Sequence, residues 1–126
     1  MESYFKKRYN SFRFAFRGIA AAIRSEPHMR LHFLAALGVT VAGFLFDITR
    51  WEWCLLILSM GLVIVSEIIN TAIETLTNLV SPEWNELAGK TKDLAAGAVL
   101  VAAFTAALVG AVVFVPYVLQ FLDSYL

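Results

Sequence analysis

Three apolar segments dominate the pattern of hydrophobic and polar positions along the 126 residues. The first is LHFLAALGVTVAGFLF, the second begins at Trp53, and the third runs from Leu94 to Leu122 without a charged residue. Lipid offers no hydrogen-bond partner to exposed backbone groups, so spanning helices are expected, and barrel-type alternation is absent. We predict transmembrane helices at roughly residues 30–48, 53–79 and 93–121, each near the length that a bilayer requires.

The N-terminal arm, residues 1–27, has a different pattern. Its apolar residues recur at alternating spacings of four and three and form one stripe: Phe5, Tyr9, Phe12, Phe16, Ile19 and Ile23. A row of cations lies roughly 100° from that stripe, a pattern typical of an amphipathic helix at a membrane surface. These cations either anchor the helix to anionic lipid or also contact phosphate groups of a ligand. Pro27 is expected to separate this helix from the first span.

Composition and charge support the same architecture. Hydrophobic residues make up 60% of the chain and charged residues 16%, a balance typical of membrane proteins. With three crossings, the arm and the second loop share one side and carry nine Lys/Arg, against Arg50 alone on the other. The positive-inside rule places the N-terminus in the cytoplasm and the C-terminus outside. Rows of Ala and Gly on the third span favour close helix packing and a homo-oligomer. The fold predicted is an all-α membrane protein with one domain, 1–126.

The second span continues as the polar segment SEIINTAIETLTN. At 100° per residue, its polar residues fall within roughly 100° of arc, so they share one helix face. They are Glu67, Asn70, Thr71, Glu74 and Asn78. Counting from Trp53, Glu67 lies ~21 Å deep and Glu74 ~32 Å deep, which places Glu67 inside the leaflet and Glu74 at its cytoplasmic edge.

Three interpretations of this stripe remain open. The first is polar contact between helices, which suits Thr71 better than the two glutamates. The second is a proton or cation transporter that uses Glu67 and Glu74, although almost nothing polar continues to the outer face. The third is a catalytic site at the inner interface. Glu26, Lys92 and Asp93 lie at the depth of Glu74, and Mg²⁺ prefers one or two carboxylates together with substrate phosphates. This set suits phosphoryl transfer, although no P-loop motif is present.

EIINTAIE, from Glu67 to Glu74, and SPEWNELAGKTKD, from Ser81 to Asp93, resemble the prokaryotic diacylglycerol kinase family. The resemblance covers nearly the whole chain, including SFRFAFRGI in the arm. It implies a homotrimeric lipid kinase of a prokaryotic inner or plasma membrane. The substrates are expected to be Mg·ATP and a lipid alcohol, with no nucleic-acid partner.

The resemblance also implies roles for individual residues. Glu67 matches the proposed catalytic base, Asn70 the amide beside it, and Glu26 and Glu74 the carboxylates that hold Mg²⁺ on ATP. The other positions that match nucleotide-binding residues are Phe14, Arg17, Glu83, Trp84, Asn85, Lys92 and Asp93.

The sequence departs from the family pattern at two positions that matter for the predicted roles. Asn78 stands where many members have Asp, and His32 replaces an acidic residue of diacylglycerol-specific members. Arg30 to Phe33, RLHF, resembles the undecaprenol kinase branch instead. Arg30 and His32 are therefore expected to contact the lipid alcohol, which is undecaprenol or diacylglycerol. The alternative for His32 is a headgroup-level residue with no role in the substrate site.

Overall fold

The computed structural model describes residues 3–126, and its regular elements are all α-helices. In chain order they are α1 (Tyr4–Ser25), α2 (Pro27–Leu45), α3 (Arg50–Val80) and α4 (Glu86–Tyr125). The last three are long and apolar enough to cross a membrane, judged by length and composition. The predictions of an all-helical chain and of three helices long and apolar enough to span a membrane are confirmed.

The break between the arm and the first span occurs at Glu26. This residue has an extended backbone, with φ −114° and ψ 110°, and Pro27 is the first residue of α2. Proline favours an extended conformation in the residue before it and lacks an N–H that a first-turn position would leave unpaired. The predicted break at Pro27 is confirmed, and it holds the Glu26 carboxyl between two helix ends.

The last helix begins earlier than the sequence analysis predicted. Expected at about residue 93 from hydropathy, α4 begins at Glu86, where the Asn85 side chain accepts a hydrogen bond from the backbone N–H of Ala88 at 2.9 Å. Hydropathy locates the part of a helix that suits hydrocarbon, whereas the polar first turns are defined by the N-cap. Lys92 and Asp93 are therefore held on a helix and not in a loop.

The closest packing joins α3 and α4. A small core at the end far from Glu74 contains Ile48, Leu56 and Val113, with Phe46 and Trp53 packed against it. Trp53 also lies over Gly43, where an added Cβ would come within 2.5 Å of the indole ring. Most other large apolar side chains of the three long helices are exposed, as expected for surfaces that face lipid or another copy of the chain.

Candidate functional site

An acidic cavity of about 470 Å³ lies where Glu26 meets the lower halves of α3 and α4. Five residues predicted for the site line it together: Glu26, His32, Glu67, Asn70 and Glu74. His28 also contributes from α2, and α4 forms the other side with Ala96, Val99, Leu100 and Ala103. Three residues of the polar face expected on α3 therefore line this cavity, whereas Thr71 and Asn78 line others.

His32 and Glu67 form the innermost polar contact of this cavity. Nε2 of His32 lies 3.0 Å from Oε1 of Glu67, and only 3% of Glu67 is exposed. Within residues 3–126, no other side chain is within hydrogen-bond distance of this carboxylate. The contact joins α2 to α3 and gives a partner to a carboxylate that would be costly to bury alone.

Asn70 has an unused acceptor at the same place. The residue is 7% exposed, and its Oδ1 atom is buried without a hydrogen-bond partner among the described residues. Buried polar atoms in folded proteins are nearly always paired. The amide therefore lines the cavity with one oxygen available to a donor such as an alcohol O–H.

Glu26 and Glu74 bring two carboxyl groups together in the acidic cavity. Burial raises the pKa of Glu26, and the charge of Glu74, a side-chain hydrogen bond with Glu74 and the charge of Glu67 raise it further. Two carboxyl groups this close favour either a shared proton or a bound cation.

This pair fits Mg²⁺ held jointly with phosphates. No group of three or more His, Cys, Asp or Glu side chains suited to a metal ion occurs in the described part of the chain. Mg²⁺ is commonly held by one or two carboxylates, several waters and substrate phosphates. Glu26 and Glu74 therefore supply what such an ion needs from the protein, provided that a nucleotide supplies the rest.

A second cavity, of about 260 Å³, continues from the first towards the middle of the spans. It is apolar: Ala36, Val39, Met60, Ala106 and Gly110 are among the lining residues. The hydroxyl of Ser59, which also lines it, donates to the backbone carbonyl of Leu56 at 3.0 Å. His32 and Ala103 line both cavities, so the acidic and the apolar spaces adjoin at these two residues. Some of the small residues of α4 that were predicted to serve helix packing line the apolar cavity, whereas Ala102 is buried in the core.

Lys92 lies in a separate small polar cavity of about 170 Å³. Its ammonium group donates to Oδ1 of Asn78 at 2.6 Å, which gives Asn78 a partner that the sequence did not reveal. Glu83 and Trp84 line the same cavity, whereas Asp93 is exposed on α4. Two of the predicted nucleotide residues of the loop, Glu83 and Trp84, therefore share a cavity with Lys92, whereas Asn85 does not line it.

The loop before α4 is fixed by its own hydrogen bonds. Asn85 caps α4 and donates from Nδ2 to the Ser81 hydroxyl, which in turn donates to the carbonyl of Glu83. Trp84 is 84% exposed, with Nε1 3.5 Å from the position of a Cβ on Gly89. The hydrogen-bonded loop therefore holds an indole ring that is largely exposed.

Three other predicted site residues do not line the acidic cavity in this chain. The guanidinium of Arg17 lies over the ring of Phe14, 5.5 Å from its centroid, on the exposed part of α1. Arg30 donates to the carbonyls of Ile23 and Arg24 at 3.2 and 3.1 Å, which satisfies the last turn of α1. His28 does line the cavity although no role was predicted for it; its position two residues after Glu26 was the available signal.

Comparison with known proteins adds the family. The sequence profile described as prokaryotic diacylglycerol kinase matches residues 13–114. Undecaprenol kinase of Bacillus subtilis is 37% identical over 86% of this chain and 88% of its own length. Diacylglycerol kinase of Synechocystis is 36% identical over 87% of this chain and 63% of its own length. Diacylglycerol kinase of Escherichia coli is 34% identical over 74% of this chain and 76% of its own length. This membrane-spanning chain belongs to the prokaryotic diacylglycerol kinase family of lipid kinases.

Proposed function

We propose that this protein transfers the γ-phosphate of Mg·ATP to a lipid alcohol, undecaprenol or diacylglycerol, at the cytoplasmic leaflet. The observation that carries the proposal is that an acidic cavity lined by Glu67 and an apolar cavity share His32, whose ring nitrogen contacts Glu67. A lipid alcohol matches this arrangement in polarity, because its hydroxyl needs polar partners and its hydrocarbon chain needs an apolar space. The names of the B. subtilis and E. coli relatives supply the two candidate alcohols.

In the proposed reaction Glu67 is the catalytic base. The hydroxyl oxygen of the lipid forms a bond to the γ-phosphorus while the bond from that phosphorus to the β,γ-bridging oxygen breaks, and ADP leaves. The hydroxyl proton passes to the Glu67 carboxylate. The unpaired Oδ1 of Asn70 is placed to orient the hydroxyl before transfer. Arg30 is proposed as a lipid contact on the family resemblance alone, since its guanidinium group in this chain bonds to the carbonyls of Ile23 and Arg24.

The nucleotide is proposed to lie between the acidic cavity and the loop before α4. Glu26 and Glu74 would hold Mg²⁺, which when bound neutralises phosphate charge. Lys92 offers an ammonium group to the phosphates, and Trp84 offers a flat surface to the base. Glu83, Asn85 and Asp93 are the remaining residues proposed for the nucleotide site. Asn85 contributes through the hydrogen bonds that fix the loop.

We also propose a homotrimer in which the arm of one chain covers the site of another. Phe14 and Arg17 are exposed and lie away from the acidic cavity of their own chain, which is consistent with a role at a neighbouring one. The exposed aromatic residues of α1 would rest in the membrane surface. The distribution of Lys and Arg favours a prokaryotic plasma membrane with the N-terminus in the cytoplasm and the C-terminus outside.

A phosphorylation assay tests the proposal. Purified protein in micelles is supplied with [γ-³²P]ATP, Mg²⁺ and either undecaprenol or diacylglycerol, and lipid extracts are examined for label. Labelled lipid phosphate is the expected product. A protein that labels neither alcohol but carries protons or cations across vesicle membranes would overturn the proposal in favour of transport.

A further inference from the structure

His32 occupies a position that neither cavity alone explains. It is half-buried on α2, it lines both cavities, and its Nε2 atom is directed at Glu67 instead of at open space. If His32 served only to bind a lipid, the ring nitrogen that faces the site would be free to bond to that lipid. The ring nitrogen that faces the site is already engaged by the carboxylate.

The direction of this hydrogen bond follows from the role of Glu67. A general base must be ionised before it accepts a proton, and an ionised carboxylate only accepts hydrogen bonds. Nε2 of His32 therefore carries the hydrogen and donates it to Oε1. The donated bond fixes the rotation of the carboxylate and leaves Oε2 as the oxygen that an approaching hydroxyl can use. It also stabilises a negative charge that burial disfavours.

We propose that His32 is a positioning residue that acts through Glu67: its Nε2–H fixes the orientation of the carboxylate, with Oε2 directed to the lipid hydroxyl. This inference rests on the proposed kinase function and goes beyond lipid contact by His32. Glu26, Glu74 and His28 are the other titratable groups around the cavity, and Glu67 touches none of them by a hydrogen bond within the described residues.

The test compares His32→Gln with His32→Leu. The side-chain amide of Gln reaches about as far as Nε2 and keeps an N–H donor, whereas Leu keeps the volume and loses the donor. We expect His32→Leu to lower kcat about 100-fold, the lower end of what a general base contributes, with the KM for the lipid alcohol changed less than threefold. We expect His32→Gln to recover most of kcat. Thr40→Val is the control, because Thr40 lies on the same helix and bonds only to the Ala36 carbonyl.

A second measurement does not depend on activity. Infrared spectra at neutral pH, without substrates, are recorded for wild type, His32→Leu and His32→Gln, and the signal of Glu67 is assigned by its loss in Glu67→Gln variants. We expect the Glu67 carboxylate band to shift in His32→Leu, where the hydrogen bond is lost, and to stay near its wild-type position in His32→Gln. A raised lipid KM with unchanged kcat in His32→Leu would instead make His32 a substrate-binding residue, and identical Glu67 signals in all three would also overturn the inference. If wild type phosphorylates no alcohol, the proposed function fails, and the infrared result still decides whether His32 donates a hydrogen bond to Glu67.

Discussion

Glu26, at the junction of α1 and α2, and Glu74, on α3, line the same acidic cavity, and burial followed by the charge of Glu74 raises the pKa of the Glu26 carboxyl group. Two carboxyl groups that share a site favour a proton or a bound cation between them. The raised pKa of Glu26 makes this pair the point at which pH, divalent ions and stability are coupled.

Removing one member of the pair should change the stability of the protein with pH. The raised pKa of Glu26 means that protonation favours the folded state. This contribution is fully present below the ordinary value of 4.5 and is lost as pH rises through the higher folded-state pKa. With divalent ions chelated, Glu26→Gln should therefore melt at a higher temperature than wild type at neutral pH and at nearly the same temperature at pH ~4.

Thermal unfolding in micelles between these pH values measures the effect. Glu83→Gln is the matched control, since Glu83 lies in the exposed loop and should show no such pH-dependent difference. If Glu26→Gln and wild type have parallel melting curves across the range, the two carboxyl groups do not interact.

Glu74→Gln should weaken the use of magnesium specifically. One of two carboxylate ligands becomes a neutral amide, so the Mg²⁺ concentration for half-maximal rate should rise about tenfold or more, equivalent to about 1.4 kcal/mol. The KM for the lipid alcohol should change little. Kinetics at varied Mg²⁺ with fixed ATP measure this, and Thr75→Val, an exposed neighbour on α3, is the control. Unchanged metal dependence would rule out Glu74 as a ligand.

Glu67→Gln should remove the proton acceptor while preserving the shape of the cavity. The amide can still meet His32 but cannot accept a proton, and kcat should fall about 10²- to 10⁴-fold. Assembly and melting temperature, followed by gel filtration and circular dichroism, should remain near those of wild type. A variant that folds and keeps more than a third of the wild-type kcat would show that another group is the base.

Asn78→Asp should interfere with Lys92. Asn78 accepts a hydrogen bond from the ammonium group of Lys92 and, being neutral, leaves the positive charge of Lys92 uncompensated. An aspartate would neutralise that charge and repel phosphates, so the KM for ATP should rise about tenfold, and the difference should shrink at high ionic strength. Asn78→Ala, which removes the contact and keeps the charge, should have a smaller effect. Equal KM values in both variants would mean that the charge of Lys92 does not serve ATP.

Filling the apolar cavity should raise the KM for the lipid alcohol without changing the KM for ATP. Ala106→Leu adds volume to the lining, and overpacking of about 1–3 kcal/mol predicts that the lipid KM rises about tenfold. The KM for ATP should stay constant. Val112→Leu is the control, because Val112 is exposed on the same helix and lines neither cavity. A lipid KM unaffected by Ala106→Leu would place the lipid chain elsewhere.

Local signals in the sequence predicted the helices but missed several contacts of the site. Pro27 and the apolar runs identified the junction and the spans, because both depend on residues close together in the chain. The start of α4 at Glu86 was missed because the Asn85 cap is polar and lies outside the hydrocarbon. The rows of small residues on α4 were predicted to serve helix packing. Such a row does not reveal whether the space opposite it is filled or open. Asn78 had no assigned partner, because Lys92 approaches it from another helix.

The sequence by itself determined that three segments cross the membrane and that the polar residues of α3 share one face. Lipid requires each spanning segment to satisfy its own backbone, and the helical repeat then fixes which side chains align. Only the tertiary structure decided that His32 meets Glu67, that Glu26 meets Glu74 and that an apolar space adjoins them. Those contacts depend on how far each helix is rotated and shifted against its neighbours, which is set by side-chain packing over the whole bundle.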